Sequence, residues 1–308
     1  MKKYLFTTLA CLIGFSSFSQ TDIEDGKSLI EAYISPLGFS LGSALNNGWY
    51  NTAKPHKLGG FDVTITTNIV IVPEEAKSFN ISEVNVNTFS GEETPTILGE
   101  GDGASTTYNG QSFNLPEGLN IAIVPIPMLQ AGVGLIKGSE IDIRYMPELK
   151  IGSVGKVGLI GIGVKHDVLQ WLPIVDKIPL SLSIQAGYTK LNSNIEMIDP
   201  TGTIDPKANL EVSSTTMNLI LSKKLLMFTP YLGVGYNSTK TIFNIDGNYN
   251  IGGLEINASE LTKTEFESKN NFRANIGFRF NITLLALQAN YTFSEYPTAT
   301  LGVGISLR

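Results

Sequence analysis

The chain contains little of what zinc proteins, disulfide-rich proteins and nucleic-acid-binding proteins are built from. Its 308 residues include one cysteine and two histidines, which excludes disulfide frameworks, most zinc sites and cysteine–histidine catalysis. Charged residues make up 16%, with 22 Lys and Arg against 28 Asp and Glu and a net charge of −6. Because there is no basic excess, nucleic acid is not expected as a partner. We also expect no metal and no cofactor.

Long apolar runs are missing after the N-terminal region. No later segment has the roughly 18 to 20 uninterrupted apolar residues of a spanning helix. Residues 1–19 combine Lys2, Lys3, an apolar stretch and small residues before Gln20, a pattern typical of a cleaved secretory signal. A lipoprotein signal with Cys11 as the lipidated residue is the alternative, but the apolar run continues behind that cysteine. Cleavage after residue 19 would leave 20 basic and 28 acidic residues, a net charge of −8.

What the chain does contain is an alternation of period two, the pattern of strands with two unlike faces. Residues 180–188 and 272–280 are clear examples. In the clearest strands the apolar face carries no charge, and the charged side chains fall on the opposite face. A charge facing lipid costs ~2–4 kcal/mol at the bilayer midplane, so this segregation predicts a transmembrane barrel. The residues expected to line its pore, or to close its lumen with salt bridges, are Glu140, Asp142, Arg144, Arg273 and Arg279.

The connections between these strands alternate in length, as they do in outer-membrane barrels. A long outer loop is predicted at 73–127, a tight inner turn at Lys137-Gly138, and a short helical connector at 167–178. The predicted strands are 59–72, 128–136, 139–149, 155–166, 179–192, 209–222, 227–243, 264–281, 283–296 and 298–308. Further strands at 79–89 and 116–126 would raise the count from ten to twelve. Residues 59–308 are therefore predicted to form an all-β antiparallel barrel in the outer membrane, in contact with lipid and lipopolysaccharide.

The last predicted strand also carries an assembly motif. Gly302, Ile305 and Leu307 resemble the C-terminal signal that the barrel-assembly machinery reads, although that signal usually ends on aromatic residues. The resemblance implies this machinery as a partner.

The segment before the barrel, residues 20–58, is not strand-like. Its apolar residues have helical spacing, and we expect the helical turns to be broken around Pro36 and Gly38. Two placements would bury these residues: inside the barrel as a plug or hatch, or under its inner mouth. A frayed leader is the third alternative. If the segment is a plug, its candidate lumen or ligand contacts are Leu29, Tyr33, Leu37 and Leu41.

One motif in this segment is associated with catalysis. Gly38-Phe39-Ser40-Leu41-Gly42 matches G-x-S-x-G, which requires a strand–turn–helix context and a positioned histidine. No strand is predicted before it, so the small residues are better explained by close packing. The chain is not predicted to be an enzyme.

Two family resemblances follow from these segments. The run Asn46 to Pro55, followed by Leu58-Gly59-Gly60-Phe61, is similar to the passage from hatch to first strand in long-chain fatty-acid transporter barrels. The stretches 134–147 and 162–173 resemble a family of uncharacterised Gram-negative barrels of the Bacteroidetes type. The first resemblance implies carriage of hydrophobic compounds across the outer membrane and sets fourteen strands as the upper limit.

These features favour passive uptake of hydrophobic or amphipathic small molecules through a plugged barrel. A structural or adhesion barrel with a filled lumen is the main alternative. A water-filled porin would suit the mixed charge of the lumen. A lipid-acting enzyme would need Ser40 near a histidine.

Overall fold

The computed structural model describes residues 20–84, 92–108, 111–151, 155–172, 179–196, 207–246, 248–251, 254–257, 263–268 and 272–307. Two 3-10 turns lie at Glu74–Ala76 and Leu169–Trp171. The longer elements of these residues are α1 (Gln20–Asn46), β1 (Phe61–Ile71), β2 (Ser78–Asn80), β3 (Glu93–Pro95), β4 (Ser105–Tyr108), β5 (Gln111–Asn114), β6 (Ile123–Gly134), β7 (Ser139–Ile151), β8 (Gly155–Asp167), β9 (Ser181–Glu196), β10 (Lys207–Ser222), β11 (Phe228–Asp246), β12 (Asn248–Ile251), β13 (Leu254–Asn257), β14 (Thr264–Glu267), β15 (Phe272–Ile282), β16 (Leu285–Phe293) and β17 (Thr298–Leu307). The proposed signal, residues 1–19, lies outside the described residues.

Ten strands form a closed antiparallel barrel. Their order around the wall is β1, β6, β7, β8, β9, β10, β11, β15, β16 and β17, and the pairing of β1 with β17 closes the ring. Closure leaves no barrel edge with unpaired backbone groups, which is what a strand protein in lipid requires. The prediction of an all-β barrel with ten strands is confirmed, and twelve or fourteen strands is wrong.

The two additional strands at 79–89 and 116–126 are not separate strands of the barrel, because their described residues up to 122 bond within the outer connection. The described part of 79–89 contributes only the end of β2, which pairs with β3 outside the barrel. Residues 116–122 bond to the same connection, with Ile121 N–H donating to the carbonyl of Leu98, and β6 begins at Ile123.

Several predicted boundaries also shift. The outer connection ends at residue 122, not 127, and the predicted strand 264–281 consists of β14 and β15. The predicted connector at 167–178 contains a 3-10 turn, and its residues 173–178 lie outside the described residues. The shifts are largest at the outer connections.

The two ends of the barrel differ in their connections. One end has the tight turn at Lys137 and Gly138, both with positive φ, and the turns at 223–227 and 283–284. The other end carries the long connection between β1 and β6 and the hairpin of β12 with β13. Outer-membrane barrels have short periplasmic turns and long extracellular loops. We call these the inner end and the outer end.

The barrel wall inverts its polarity along the strands, as β10 shows. Near the inner end, Met217 and Leu219 are exposed on the outside and Asn218 is buried inside. Near the outer end, Leu210 is buried inside, and the neighbouring Glu211 lies outside, 2.7 Å from Lys190 of β9. The inner part therefore has the polarity of a membrane-spanning barrel. The outer part has that of a water-soluble fold.

Helix α1 lies inside the barrel. Tyr33 hydroxyl donates to the carbonyl of Glu117 (2.9 Å) in the outer connection, whereas the last turn bonds to wall residues deeper inside. The helix therefore begins at the outer end and runs inward, which excludes a frayed leader and a position under the inner mouth. No helix of the described residues combines the length and hydropathy needed to cross a membrane.

The expected break in this helix is wrong, because α1 is continuous across Pro36. Proline removes one backbone hydrogen bond from a helix, but tertiary packing of the buried helix outweighs that loss. Gly38 faces the wall so closely that an added Cβ would lie 2.7 Å from the ring of Phe266. A continuous helix with a small residue at this position is what fits the barrel.

Candidate functional site

The C-terminus of α1 ends on two arginines of the barrel wall. Arg144 of β7 donates to the carbonyl oxygens of Leu45 (2.9 Å) and Asn47 (2.7 Å). Arg273 of β15 donates to the carbonyl oxygen of Asn46 (2.5 Å). The last carbonyls of a helix have no partner within it and carry the negative end of its dipole. The two guanidinium groups therefore satisfy these carbonyls and balance their charge.

A third wall residue binds the same turn. Asn68 of β1, fully buried, donates from Nδ2 to the carbonyls of Ala44 (2.7 Å) and Asn47 (3.0 Å). Its Oδ1 accepts a hydrogen bond of 2.7 Å from Thr300 of β17. Asn68 is thus held by the wall in the orientation that receives the helix.

The chain after the helix, residues 47–57, fills the inner part of the lumen; we call it the plug segment. Its Trp49 ring lies against Gly163 and Gly187, where an added Cβ would come within 2.6 and 2.5 Å of the ring. The guanidinium carbon of Arg144 lies 3.6 Å from the ring centroid, a cation–π contact. Gln130 Nε2 donates to the Trp49 carbonyl at 3.2 Å. Trp49 is therefore enclosed by the wall on several sides.

Glu140 of β7 binds the plug segment further inward. Its Oε2 accepts from the backbone N–H of His56 (2.7 Å) and lies 2.7 Å from His56 Nδ1. Its Oε1 lies 2.6 Å from Lys165 Nζ of β8. His56 Nε2 lies 3.3 Å from Ser306 Oγ, so Ser306, His56 and Glu140 have the connectivity of a hydrolase triad. Glu140 also accepts from the His56 backbone and pairs with Lys165. These further bonds are those of a carboxylate that holds the plug segment to the wall.

The remaining predicted charges also point inward. Arg279 Nε donates to Asn281 and Nη1 to Asn51 of the plug segment, both at 2.6 Å. Asp142 is 1% exposed, and its Oδ1 lies 3.5 Å from Gln130 Nε2. The five predicted lumen charges, each at most 2% exposed, therefore contact or lie close to the plug segment and the end of α1.

The predicted helix contacts form a separate group in the outer part. Leu29, Tyr33 and Leu41 are buried, and Leu37 is partly buried. The apolar cluster around α1 contains wall residues from several strands: Val70, Met128, Met146, Val157, Leu159, Leu191, Leu210, Val212 and Phe243. The nine predicted lumen residues thus lie in two zones, an outer apolar zone and an inner polar one.

The G-x-S-x-G motif lies within α1 and not on a strand–turn–helix. Gly38 and Gly42 face Thr241 and Thr239 of β11 at distances that leave no room for a Cβ. Ser40 is buried. Among the described residues no group of three or more His, Cys, Asp and Glu is placed to hold a metal.

The predicted assembly residues lie on β17. Ile305 and Leu307 point outward and are exposed on the lipid-facing side, whereas Gly302 faces Gln288 in the lumen.

Sequence reasoning missed the residues of the plug segment that contact the wall, above all Asn47, Trp49 and His56. The signal that could have found them is their composition. A run of asparagines and aromatic residues before a first strand, 46–51, is unusual in an exposed linker. The side chains of asparagine, tryptophan and tyrosine can form hydrogen bonds with buried partners.

Several solved outer-membrane proteins are similar to this chain at low identity and low TM-score. The attachment invasion locus protein Ail of Yersinia pestis is 10% identical, covers 81% of this chain and 100% of its own, and has a TM-score of 0.30. The translocator domain of the autotransporter NalP from Neisseria meningitidis is 8% identical, with 92% and 98% covered and a TM-score of 0.37. The toluene transporter TodX of Pseudomonas putida is 9% identical, with 81% and 67% covered and a TM-score of 0.25.

No curated protein matches the sequence. A family model does match, over residues 1–307. It is described as a family of unknown function, DUF6588. Because the match spans nearly the whole chain, this protein, a ten-stranded barrel of the outer-membrane type with an internal helix, belongs to the DUF6588 family.

Proposed function

We propose that this protein is a closed outer-membrane barrel with a filled lumen, and that its role is structural or adhesive. The observation that supports this most directly is that the buried part of α1 and the plug segment occupy the lumen. The wall holds them by buried hydrogen bonds to backbone carbonyls, three of which come from Arg144 and Arg273.

The cost of moving these groups supports a static plug. A hydrogen bond to a charged group contributes ~1.5–3 kcal/mol, and leaving a buried charge unpaired costs more. Opening the lumen would break three such bonds at the helix end and separate His56 from Glu140. Because these bonds hold the chain's own residues in the lumen, they also disfavour a water-filled porin.

The outer part of the barrel is where a partner would meet this protein. Strands β9, β10 and β11 continue past the lipid-facing zone and pack on α1, with polar side chains such as Lys190 and Glu211 outside. In this proposal the signal at 1–19 is cleaved, the assembly machinery reads Gly302, Ile305 and Leu307, and the outer part rises above lipid and lipopolysaccharide.

Passive uptake of hydrophobic small molecules is the second candidate. The observation in its favour is the apolar lining of the outer part, which includes Met128, Leu159, Leu191 and Phe243. An apolar ligand would bind there only if α1 moved away from the wall. The two candidates therefore differ in whether α1 moves.

A disulfide between α1 and the wall separates them. Ser43 Oγ and Thr298 Oγ1 are 3.0 Å apart, so cysteines at these positions are close enough to be cross-linked. The experiment compares Ser43→Cys/Thr298→Cys, oxidised and reduced, with the single variant Ser43→Cys. It measures single-channel conductance and the entry of N-phenyl-1-naphthylamine into cells.

A static plug predicts no steady conductance and the same dye entry in both redox states. If oxidation lowers dye entry and reductant restores it, while the single variant does not respond, α1 moves and uptake is the function. Steady conductance in the reduced protein would also contradict a filled lumen.

A further inference from the structure

A cavity of about 160 Å³ lies at the inner end of the barrel, beside the plug segment. Its lining includes residues of the plug segment, Ser181 at the start of β9, Ser222 at the end of β10 and Asn281 near the end of β15. A cavity of about 150 Å³ accommodates benzene, so there is room for a tetrahedral oxyanion and its first waters.

The charge of this cavity is of one sign. Four basic side chains line it, Lys54, Lys57, Lys224 and Arg279, and its lining includes no acidic residue. The whole chain has a net charge of −6, so this concentration of cations runs against the composition. Like charges gathered in a confined space repel each other, and a bound anion removes that repulsion.

The cations are arranged from the opening to the floor. Lys54, Lys57 and Lys224 are exposed, whereas Arg279 is 1% exposed. The Arg279 guanidinium is oriented by Asn51 and Asn281. A guanidinium in fixed orientation matches the geometry of phosphate oxygens.

Neutral donors complete the lining. The hydroxyls of Ser222 and Thr229 and the amide of Asn281 belong to the same cavity. The nearby carboxylate of Asp62 lies 3.8 Å from Arg279 Nη1, beyond hydrogen-bond distance. This ion pair partly balances the charge of Arg279, and Asp62 itself is not among the residues that line the cavity.

We propose that this cavity binds a phosphate-type oxyanion from the inner, periplasmic side. The anion is either free phosphate, a small phosphate ester or the headgroup of an anionic phospholipid. Lys57 and Lys224 attract it at the opening, and Arg279 with the neutral donors binds its oxygens.

The test uses the full mature protein in a zwitterionic detergent. Binding of inorganic phosphate and glycerol phosphate is measured by calorimetry, and binding of phosphatidylglycerol by titration of mixed micelles. The test variant is Lys57→Gln/Lys224→Gln, which leaves Arg279 and its plug contacts in place. The control, Lys190→Gln/Lys240→Gln, removes the same charge from lysines of the outer part that pair with Glu211 and Glu265.

We expect saturable binding of one anion per chain, weakened at least tenfold in the test variant and less than twofold in the control. Added sodium chloride should weaken it, because the opening is exposed to screening. Binding of phosphatidylglycerol alone identifies the headgroup as the source, and binding of the soluble phosphates identifies free anions. No saturable binding of any probe, or equal loss in both double variants, would overturn the proposal.

Discussion

Arg144 and Asn47 are joined by a hydrogen bond of 2.7 Å that connects the barrel wall to the end of the internal helix. The same guanidinium also binds the carbonyl of Leu45 and covers the Trp49 ring. One side chain thus fixes the end of the helix, the first residues of the plug segment and the position of the indole. The buried guanidinium of Arg144 therefore binds backbone carbonyls of the same chain.

Replacing this arginine tests that role. Arg144→Met roughly keeps the volume but leaves the carbonyls of Leu45 and Asn47 without their charged donor, so we expect a loss of about 3 kcal/mol in unfolding free energy. The measurement is the urea midpoint of the heat-modifiable folded band on gels. The matched change Lys190→Met removes a cation from a half-exposed ion pair and should cost about 1 kcal/mol or less. Equal midpoints for both variants would contradict the anchoring role of Arg144.

The fit between Trp49 and the wall glycines gives a second prediction. In Gly187→Ala the new methyl group would lie 2.5 Å from the indole, and overpacking of this kind costs about 1–3 kcal/mol. Trp49→Leu should relieve the clash, so the double variant is less damaged than the sum of the single changes. Gly26→Ala is the control, because nothing lies within 4 Å of its added Cβ. Strict additivity of Gly187→Ala and Trp49→Leu would refute the contact.

The faces of the membrane-spanning strands could be predicted from the sequence because lipid imposes a strong rule. Charges such as Glu140, Arg144 and Arg273 are costly toward lipid and inexpensive toward a polar lumen, so alternation and charge together assign their side. The same alternation and the turn residues Lys137 and Gly138 indicated ten strands, but twelve stayed open because 79–89 and 116–126 could also be read as strands.

The inversion of polarity in the outer part could not be assigned by that rule. Leu210 and Leu219 both belong to alternating segments of β10, yet one faces inward and the other outward. Alternation gives the period but not which face is inside. Only the packing of α1 determines that the outer part needs an apolar interior.

A helical segment before the barrel was predictable, but its placement inside the lumen and its continuity were not. Apolar spacing around Leu29, Tyr33 and Leu41 indicated a buried helix, but local rules placed a break at Pro36. Contacts across the barrel, such as Gly38 against Phe266, are distant in sequence and decide the outcome. The partners of Asn47 and His56 could not be predicted either, because they too are distant in sequence.

A charge placed at two depths gives a third prediction. Ile65, at the centre of β1 and 59% exposed, faces the bilayer core, so Ile65→Arg should cost about 2–4 kcal/mol and reduce assembly. Leu226 is 91% exposed in the inner turn, and Leu226→Arg should cost at most about 1 kcal/mol, because charges near the interface are tolerated. The fraction of heat-modifiable protein in outer membranes measures both. Equal assembly of the two variants would mean that Ile65 does not face lipid.

The direction of α1 gives the last prediction. Because the helix begins at the outer end, the exposed Glu24 should face the cell exterior, whereas the exposed Lys57 lies at the inner end. Single cysteines at the two positions can be compared in a Cys11→Ser background, which removes the only native cysteine. A membrane-impermeant maleimide added to intact cells should label Glu24→Cys and leave Lys57→Cys unlabelled. After the outer membrane is permeabilised, both should react.

Labelling of Lys57→Cys in intact cells with protection of Glu24→Cys would show that the barrel has the opposite orientation. Protection of both until permeabilisation would instead mean that the outer loops cover the start of the helix, and a protease added from outside would then distinguish cover from reversed insertion.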